Sequence, residues 1–309
     1  MVNDLEANMI GETAAVVTSF LWTISSILFT SAGKRIGSLT VNAYRTVVAV
    51  VLVLLAHGIL LGAILPAANS TQWFWMGLSG VVGLSIGDSG LIAAFVTIGP
   101  RRSVLVMALS PIFAAIGAYS MLGETIPTLA TVGIVITLVG VAVVILEGEE
   151  RSGERPISRR LKAYGVLFAL IGAVGQGVGL VLAKKGIDLV PGTTLNPLSA
   201  TLMRLILGAL FIWIISMFAG KLPELRKAPN SRAGMGNTVA GAFIGPFLGI
   251  TLSMVAVTYT EAGVAQTLMS LMPVLIIPFV WVFYRQRTSW RGILGALIAV
   301  IGVGILFLT

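Results

Sequence analysis

The sequence predicts an all-α membrane protein in which ten transmembrane helices form two inverted five-helix repeats. The first observation is composition, since 57% of the 309 residues are hydrophobic and only 10% are charged, whereas soluble domains carry about 25% charged residues. The second is a duplication, because residues 83–146 and 245–308 align without a gap at a constant offset of 162. The third is that the apolar runs lack strict two-residue alternation, which favours helices over a membrane barrel.

Ten apolar runs account for the spanning helices, each close to the length of about 20 residues that crosses a bilayer. They lie near residues 13–32, 41–63, 73–98, 103–122, 126–146, 162–183, 198–219, 237–259, 263–284 and 289–308. A polar linker over residues 148–161 separates a first repeat, residues 1–147, from a second, residues 162–309. No Lys or Arg precedes the first run, so we expect that span to be retained rather than cleaved as a signal.

An odd number of spans in each repeat turns the second repeat upside down relative to the first. The charges agree, because Arg101 and Arg102 occupy a loop whose counterpart holds Gly263 and Val264. Loops on one side of the bilayer hold 16 Lys and Arg residues and the opposite loops hold 2. Basic loops stay in the cytoplasm. We therefore expect both termini on the outer face of the cytoplasmic membrane of a bacterium or archaeon.

The charge and the rare residue types exclude several classes of function. The net charge of +8 lies in short loops between spans, so it reflects topology and not nucleic-acid binding. Without Cys, and with His57 as the single His, thiolate chemistry and a His-rich metal site are excluded. No GxxxxGK[ST] loop is present for ATP. We expect no enzymatic activity, cofactor or metal, and a monomer or weak homo-oligomer whose partners are the lipid bilayer and a small-molecule substrate.

Two pairs of glycines occur at equivalent places in the third and eighth predicted spans. They are Gly83 with Gly87 and Gly245 with Gly249. Glycines four residues apart let helices approach closely, which matters in lipid because packing holds helices together. The pairs predict helix packing, and a sliding seam for conformational change is compatible with it.

Two matched prolines, Pro111 and Pro273, fall in the middle of the fourth and ninth predicted spans. A proline inside a helix removes a backbone donor and weakens the helix at that point. A matched pair of weakened helices predicts hinges for a two-repeat transporter. A static kink that only shapes the cavity is the alternative.

The strongest candidate for chemistry is Asp88, a carboxylate inside an apolar span. Such a group is costly in a membrane and usually faces a cavity or a partner. It could bind a substrate amine, couple transport to protons, or serve as a structural carboxylate. Its counterpart in the second repeat is Ile250, so chemistry at this position is confined to one repeat.

Four further residues are candidates for contact with substrate. Arg45 and Arg204 lie inside the second and seventh predicted spans, where they could pair with a carboxylate, clamp an anionic substrate, or extend to the membrane interface. Gln176 on the Gly-rich sixth span and Trp22 on the first could line a cavity through polarity and aromatic character. Packing or interfacial anchoring would explain the same two residues.

Short motifs recur along the chain in a consistent order. In the first half they are Leu21–Trp22, Tyr44–Arg45, Gly87–Asp88, Gly99–Ser103, Leu109–Pro111, Leu122–Glu124 and Gly140–Val141, and in the second Met203–Arg204, Leu271–Pro273 and Gly302–Gly304. Together they resemble the ten-helix, EamA-like branch of the drug/metabolite transporter superfamily. That resemblance implies a small-solute carrier with a central cavity lined mainly by helices 1, 3, 4, 6, 8 and 9, working by alternating access.

These observations predict a secondary transporter of small organic metabolites, such as amino-acid-like compounds or drugs, with or without coupling to protons. A facilitative, channel-like uniporter is the alternative. An intramembrane serine hydrolase is a more distant one, because Ser79 and Ser89 each lie between glycines and His57 could act as a base.

Overall fold

A computed structural model of the chain describes residues 4–151, 158–188, 195–272, 274–275 and 290–306. Within these ranges all regular secondary structure is helical, as predicted. The α-helices are α1 (Asp4–Ile36), α2 (Ser38–Leu61), α3 (Ser70–Ser79), α4 (Asp88–Thr97), α5 (Pro100–Met107), α6 (Ser110–Leu122), α7 (Thr128–Arg151), α8 (Arg159–Ile187), α9 (Pro197–Phe218), α10 (Leu222–Lys227), α11 (Arg232–Ala242), α12 (Ile250–Tyr259), α13 (Ala262–Met269) and α14 (Trp290–Leu306).

Two π-helical segments interrupt long helices at equivalent places in the two halves. The first, Gly80–Gly87, joins α3 to α4, and the second, Phe243–Gly249, joins α11 to α12. The starts of α3, α5 and α7 recur 162 residues later as the starts of α11, α13 and α14. The duplication seen in the sequence therefore extends to the bounds of the helices. Such π segments widen a helix locally and are frequent at functional sites.

Local signals explain where several helices begin and end. Asn69 and Gln72 form a capping box, with reciprocal side-chain to backbone hydrogen bonds of 2.8 and 3.1 Å, so α3 starts three residues before the predicted span. Asn196 caps α9 directly before Pro197, a residue suited to a first turn. Gly123 ends α6 at a φ of 70°, a left-handed conformation that favours glycine.

Six helices among the described residues are long and apolar enough to cross a membrane. They are Glu6–Ile36, Ser38–Leu61, Ser70–Thr97, Arg159–Ile187, Pro197–Phe218 and Arg232–Tyr259. Shorter apolar helices cover Ser110–Leu122, Thr128–Gly140 and Trp290–Gly302. Large apolar side chains such as Ile59, Ile116 and Phe218 are exposed on the outside, as expected for surfaces that contact lipid. The helical membrane fold is thus observed, while the count of ten spans stays a prediction.

The fourth predicted span is not one continuous helix. It divides into α5 and α6 at residues 108–109, and Pro111 lies in the first turn of α6. The expected mid-helix position of Pro111 was therefore wrong. A proline in a first turn removes no intrahelical hydrogen bond, because the N–H groups there have no helical partner. The second half breaks similarly after Met269. Pro273 lies outside the described residues.

Helix packing around the π segments differs between the halves. A Cβ added at Gly87 would lie 3.0 Å from the Cα of Gly175 in α8, so these two backbones are nearly in contact. Gly83 faces α8 as well, with the side chain of Arg204 beside it. In the second half, a Cβ at Gly245 would meet Ser25 and one at Gly249 would meet Trp22, both side chains of α1.

Candidate functional site

A cavity of about 70 Å³ with a mostly apolar lining lies between the two halves, and all five candidate substrate residues line it. The lining includes Trp22, Phe29, Arg45, Asp88, Gln176 and Arg204, with Ser25, Ser26 and Ser253 as hydroxyl groups and mostly apolar side chains elsewhere. Elements from all six spans implied by the resemblance contribute, and α2 and α9 add the two arginines. The structure therefore brings these five residues to one cavity, and their role in substrate contact stays a prediction.

Asp88 holds the centre of the site. It is the first residue of α4, directly after the π segment, and it is buried. One oxygen, Oδ2, forms an ion pair with Nη2 of Arg45. The other, Oδ1, accepts a hydrogen bond of 2.5 Å from Nε2 of Gln176 in α8. Both carboxylate oxygens are thus occupied, one by a residue of each half.

A second set of contacts fixes the guanidinium of Arg45. Its Nε donates to Oδ1 of Asn42, one turn earlier in α2, at 2.8 Å. The Nδ2 of Asn42 donates in turn to the carbonyl of Leu84 at 3.0 Å and to Oγ of Ser89 at 2.8 Å. The ring of Phe29 lies 5.2 Å from the guanidinium carbon, within the range of a cation–π contact. The ion pair is therefore held by contacts from α1, α2, α4 and the first π segment, together with Gln176 of α8.

Arg204 has a different environment from Arg45, although both are buried. Its Nη1 donates to Sδ of Met254 at 3.3 Å, and sulfur is a weak acceptor. Its Nε has no hydrogen-bond partner. Neither arginine extends to an interface, and only Arg45 is ion-paired with Asp88.

Asn42 and Phe29 were missed by reasoning from the sequence. The signal for Asn42 was its position three residues before Arg45, which places both side chains on one face of α2. Phe29 carried no distinguishing signal, since aromatic residues in an apolar span are ordinary. Its contact with Arg45 depends on how α1 and α2 pack.

A second charged cluster lies away from the cavity, where α6, α8 and α12 end. Nζ of Lys184 lies 3.0 Å from Oε1 of Glu124, an ion pair without hydrogen-bond alignment. The same Nζ donates to the carbonyl of Thr260 at 2.7 Å. The other oxygen of Glu124 accepts from the N–H of Ala262 at 3.1 Å. We call these residues the Glu124–Lys184 cluster, and it links the two halves.

The serines and the histidine considered for hydrolysis have other partners. Oγ of Ser79 donates to the carbonyl of Gly179, and Oγ of Ser89 donates to the carbonyl of Ser85 at 2.5 Å. His57 contacts Oγ of Ser199 at 2.9 Å through Nε2. Its Nδ1 contacts a backbone carbonyl. The structure does not bring His57 to either glycine-flanked serine.

These features define a polytopic helical membrane protein with a charged internal cavity between duplicated halves. Comparison with known proteins supports the same class. The EamA-like transporter family matches residues 9–146 and again residues 163–308, so the family unit occurs twice. The chain belongs to this family, which confirms the resemblance to the drug/metabolite transporter superfamily and identifies a membrane transporter.

Two individual proteins show how far the similarity extends. An uncharacterized transporter of Clostridium kluyveri is 22% identical over 231 residues, covering 74% of this chain and 70% of the relative. A solved crystal structure, described only as that of a protein, matches with a TM-score of 0.73 at 18% identity. That match covers 97% of this chain and 95% of the other. The first similarity supports transport, and the second shows the fold.

Proposed function

We propose that this transporter is a secondary carrier of small organic metabolites that works by alternating access between two inverted halves. One observation carries the proposal: Asp88 of the first half is bonded to Gln176 of the second inside a buried cavity. Charged groups in a membrane interior are costly and mark solute or ion pathways. A site shared by both halves would be remade whenever the halves move relative to each other.

The size of the cavity supports a carrier that must open in order to load. A volume of about 70 Å³ holds several waters, whereas sites for larger ligands measure about 300–1,000 Å³. Binding a metabolite therefore requires the helices to separate. At the α5–α6 junction beside Pro111, in the two π segments and after Met269, the backbone departs from a continuous α-helix.

The two ends of the cavity differ. Lining residues reach Phe95, two residues before α4 ends, and Val104, in the middle of α5. The opposite end of the bundle carries the Glu124–Lys184 cluster, where loop and helix ends of both halves are bonded together. Under the proposed topology, with both termini outside, that cluster closes the outer side. The cavity then extends towards the cytoplasm.

Proton coupling would act through Asp88. Protonation of this carboxylate would remove the charge that pairs with Arg45, so uptake of a proton would release the guanidinium and loosen the link between α2 and α4. The carrier proposal does not depend on proton coupling.

Uptake by proteoliposomes of the purified protein tests the proposal. We expect at least one metabolite of a panel to be taken up with saturation and counterflow, and the rate to respond to a pH gradient if protons are coupled. Asp88→Asn should abolish that uptake, whereas Ser79→Ala, Ser89→Ala and His57→Ala should retain it. Flux that rises linearly with concentration and shows no counterflow would instead indicate a pore.

A further inference from the structure

The guanidinium of Arg204 is a buried cation whose bonding is incomplete. Only 3% of the residue is exposed, and it lines the cavity. Its Nε has no partner and its Nη1 has only the sulfur of Met254. A buried charge is stabilised by charge-assisted hydrogen bonds, and a buried charge that lacks them is costly. The guanidinium of Arg204 can therefore still donate hydrogen bonds to an anion.

Among the residues that the structure describes, the cavity lining holds no carboxylate that forms an ion pair with Arg204. Asp88 is the carboxylate among the residues that line the cavity, and both of its oxygens are engaged by Arg45 and Gln176. Among the described lining residues, two arginines and one aspartate leave one positive charge in excess. A ligand that brings one negative charge would balance the site.

The rest of the lining describes the body of that ligand. Trp22, Phe29, Leu180 and Ile250 present aromatic and aliphatic surface. A planar carboxylate matches the guanidinium with two parallel hydrogen bonds. An ammonium group on the ligand would have to share Asp88 with Arg45 and Gln176, because each carboxylate oxygen already accepts one hydrogen bond. The lining thus favours an anion over a zwitterion or a cation.

We propose that Arg204 is the anion-recognition subsite of the cavity, and that the substrate class is a small monocarboxylate with an apolar body. This assignment rests on the proposed carrier function and names its substrate chemistry. Arg204 would hold the carboxylate, while Arg45 and Gln176 would remain on Asp88.

Four probes with one body and different head groups test the assignment on the purified full-length protein. They are 3-phenylpropionate, 3-phenylpropan-1-ol, 3-phenylpropylamine and phenylalanine, each scored by the shift in melting temperature. We expect 3-phenylpropionate to raise the melting temperature most. A shift from the alcohol or the amine as large as that from the carboxylate would overturn the assignment. A larger shift from phenylalanine would do the same and point to an amino-acid site.

Variants connect the response to Arg204. In Arg204→Met the affinity for 3-phenylpropionate should fall about tenfold or more, the usual cost of losing a charge-assisted pair. Arg204→Lys should keep part of it. Arg226→Met, an exposed arginine in α10, should match the wild type. An unchanged affinity in Arg204→Met would overturn the assignment.

Stability of the ligand-free protein provides a second readout. If Arg204 is an anion subsite, the ligand-free Arg204→Met variant should melt at a higher temperature than the wild type. The substitution removes a buried charge whose hydrogen bonds are incomplete. A lower melting temperature, or failure to fold, would show that Arg204 is structural and overturn the assignment. Saturable proteoliposome uptake of other solutes, without 3-phenylpropionate binding, would refute the anion subsite and leave the carrier intact. Absence of any saturable uptake would refute the carrier itself.

Discussion

The third span of the first half and its counterpart in the second half share a backbone but not a chemistry. Both run as an α-helix, a π segment and a second α-helix, with equal outer bounds at an offset of 162 residues. At the end of the π segment the first half has Asp88 and the second has Ile250. The interrupted helix is therefore common to both halves, whereas the buried charge at this position is present in the first half and absent from the second.

The neighbours of the two π segments differ as well. Gly80 of the first half lies so close to α9 that an added Cβ would overlap the carbonyl oxygen of Arg204, 2.1 Å away. The equivalent residue of the second half is Ala242, which is buried and accommodated. The start of the first π segment is therefore pressed against the backbone of α9, whereas the equivalent position at the end of α11 accommodates a methyl group.

The largest effect is expected from Asp88→Asn, which removes the charge that distinguishes the halves. Arg45 would then be a buried cation without an ion-pair partner, and breaking such a pair costs about 3–5 kcal/mol. We expect a lower melting temperature and loss of uptake in proteoliposomes. The double variant Asp88→Asn with Arg45→Met should recover part of the stability, because neither charge remains. Uptake at the wild-type rate in Asp88→Asn would contradict the proposed role of Asp88.

The next effect concerns packing and exchanges one residue between the halves. Gly80→Ala should lower the free energy of unfolding by about 2–3 kcal/mol, because the new methyl group meets backbone that cannot rotate away. Ala242→Gly, the reverse change, should cost only about 1 kcal/mol through helix propensity. Chemical denaturation in detergent measures both. Equal effects would show that the two segments are packed alike.

A smaller effect is expected at the Glu124–Lys184 cluster. Lys184→Met removes the ion pair to Glu124 and the hydrogen bond to Thr260, which should cost about 1–2 kcal/mol. The adjacent Lys185 contacts the ring of Trp75 at 4.4 Å, so Lys185→Met is a matched control and should cost less, about 0.5–1 kcal/mol. A melting temperature that falls more for Lys185→Met than for Lys184→Met would show that Lys185 contributes more to stability, which contradicts this prediction.

The smallest effect is a pH dependence at Asp188, which ends α8 beside this cluster. Burial raises the pKa of its carboxyl above the ordinary value of 3.8, Lys184 opposes that shift, and Glu124 adds to it. A raised pKa in the folded state means that Asp188 stabilises the fold below pH 3.8 and loses that contribution as the pH rises through the raised value. Melting temperatures measured across this window should decline less in Asp188→Asn. An identical decline would assign the dependence to another group.

Much of the site could be predicted because membrane insertion is governed by local composition. Asp88, Arg45, Gln176, Arg204 and Trp22 stood out as polar or aromatic groups in apolar runs, and all five line the cavity. The position of Pro111 could not be obtained in this way. A continuous apolar run predicts one helix, whereas the break between α5 and α6 depends on how the neighbouring helices pack against it.

By itself, the sequence determined the helical membrane class, the duplication and the family, because every backbone group in lipid must be bonded within its own helix. Those properties follow from apolar runs and their repetition. The tertiary structure alone decided which arginine pairs with Asp88 and which has an unbonded Nε. Asp88, Gln176 and Arg204 lie on different helices far apart in the chain, and their distances arise only when those helices pack.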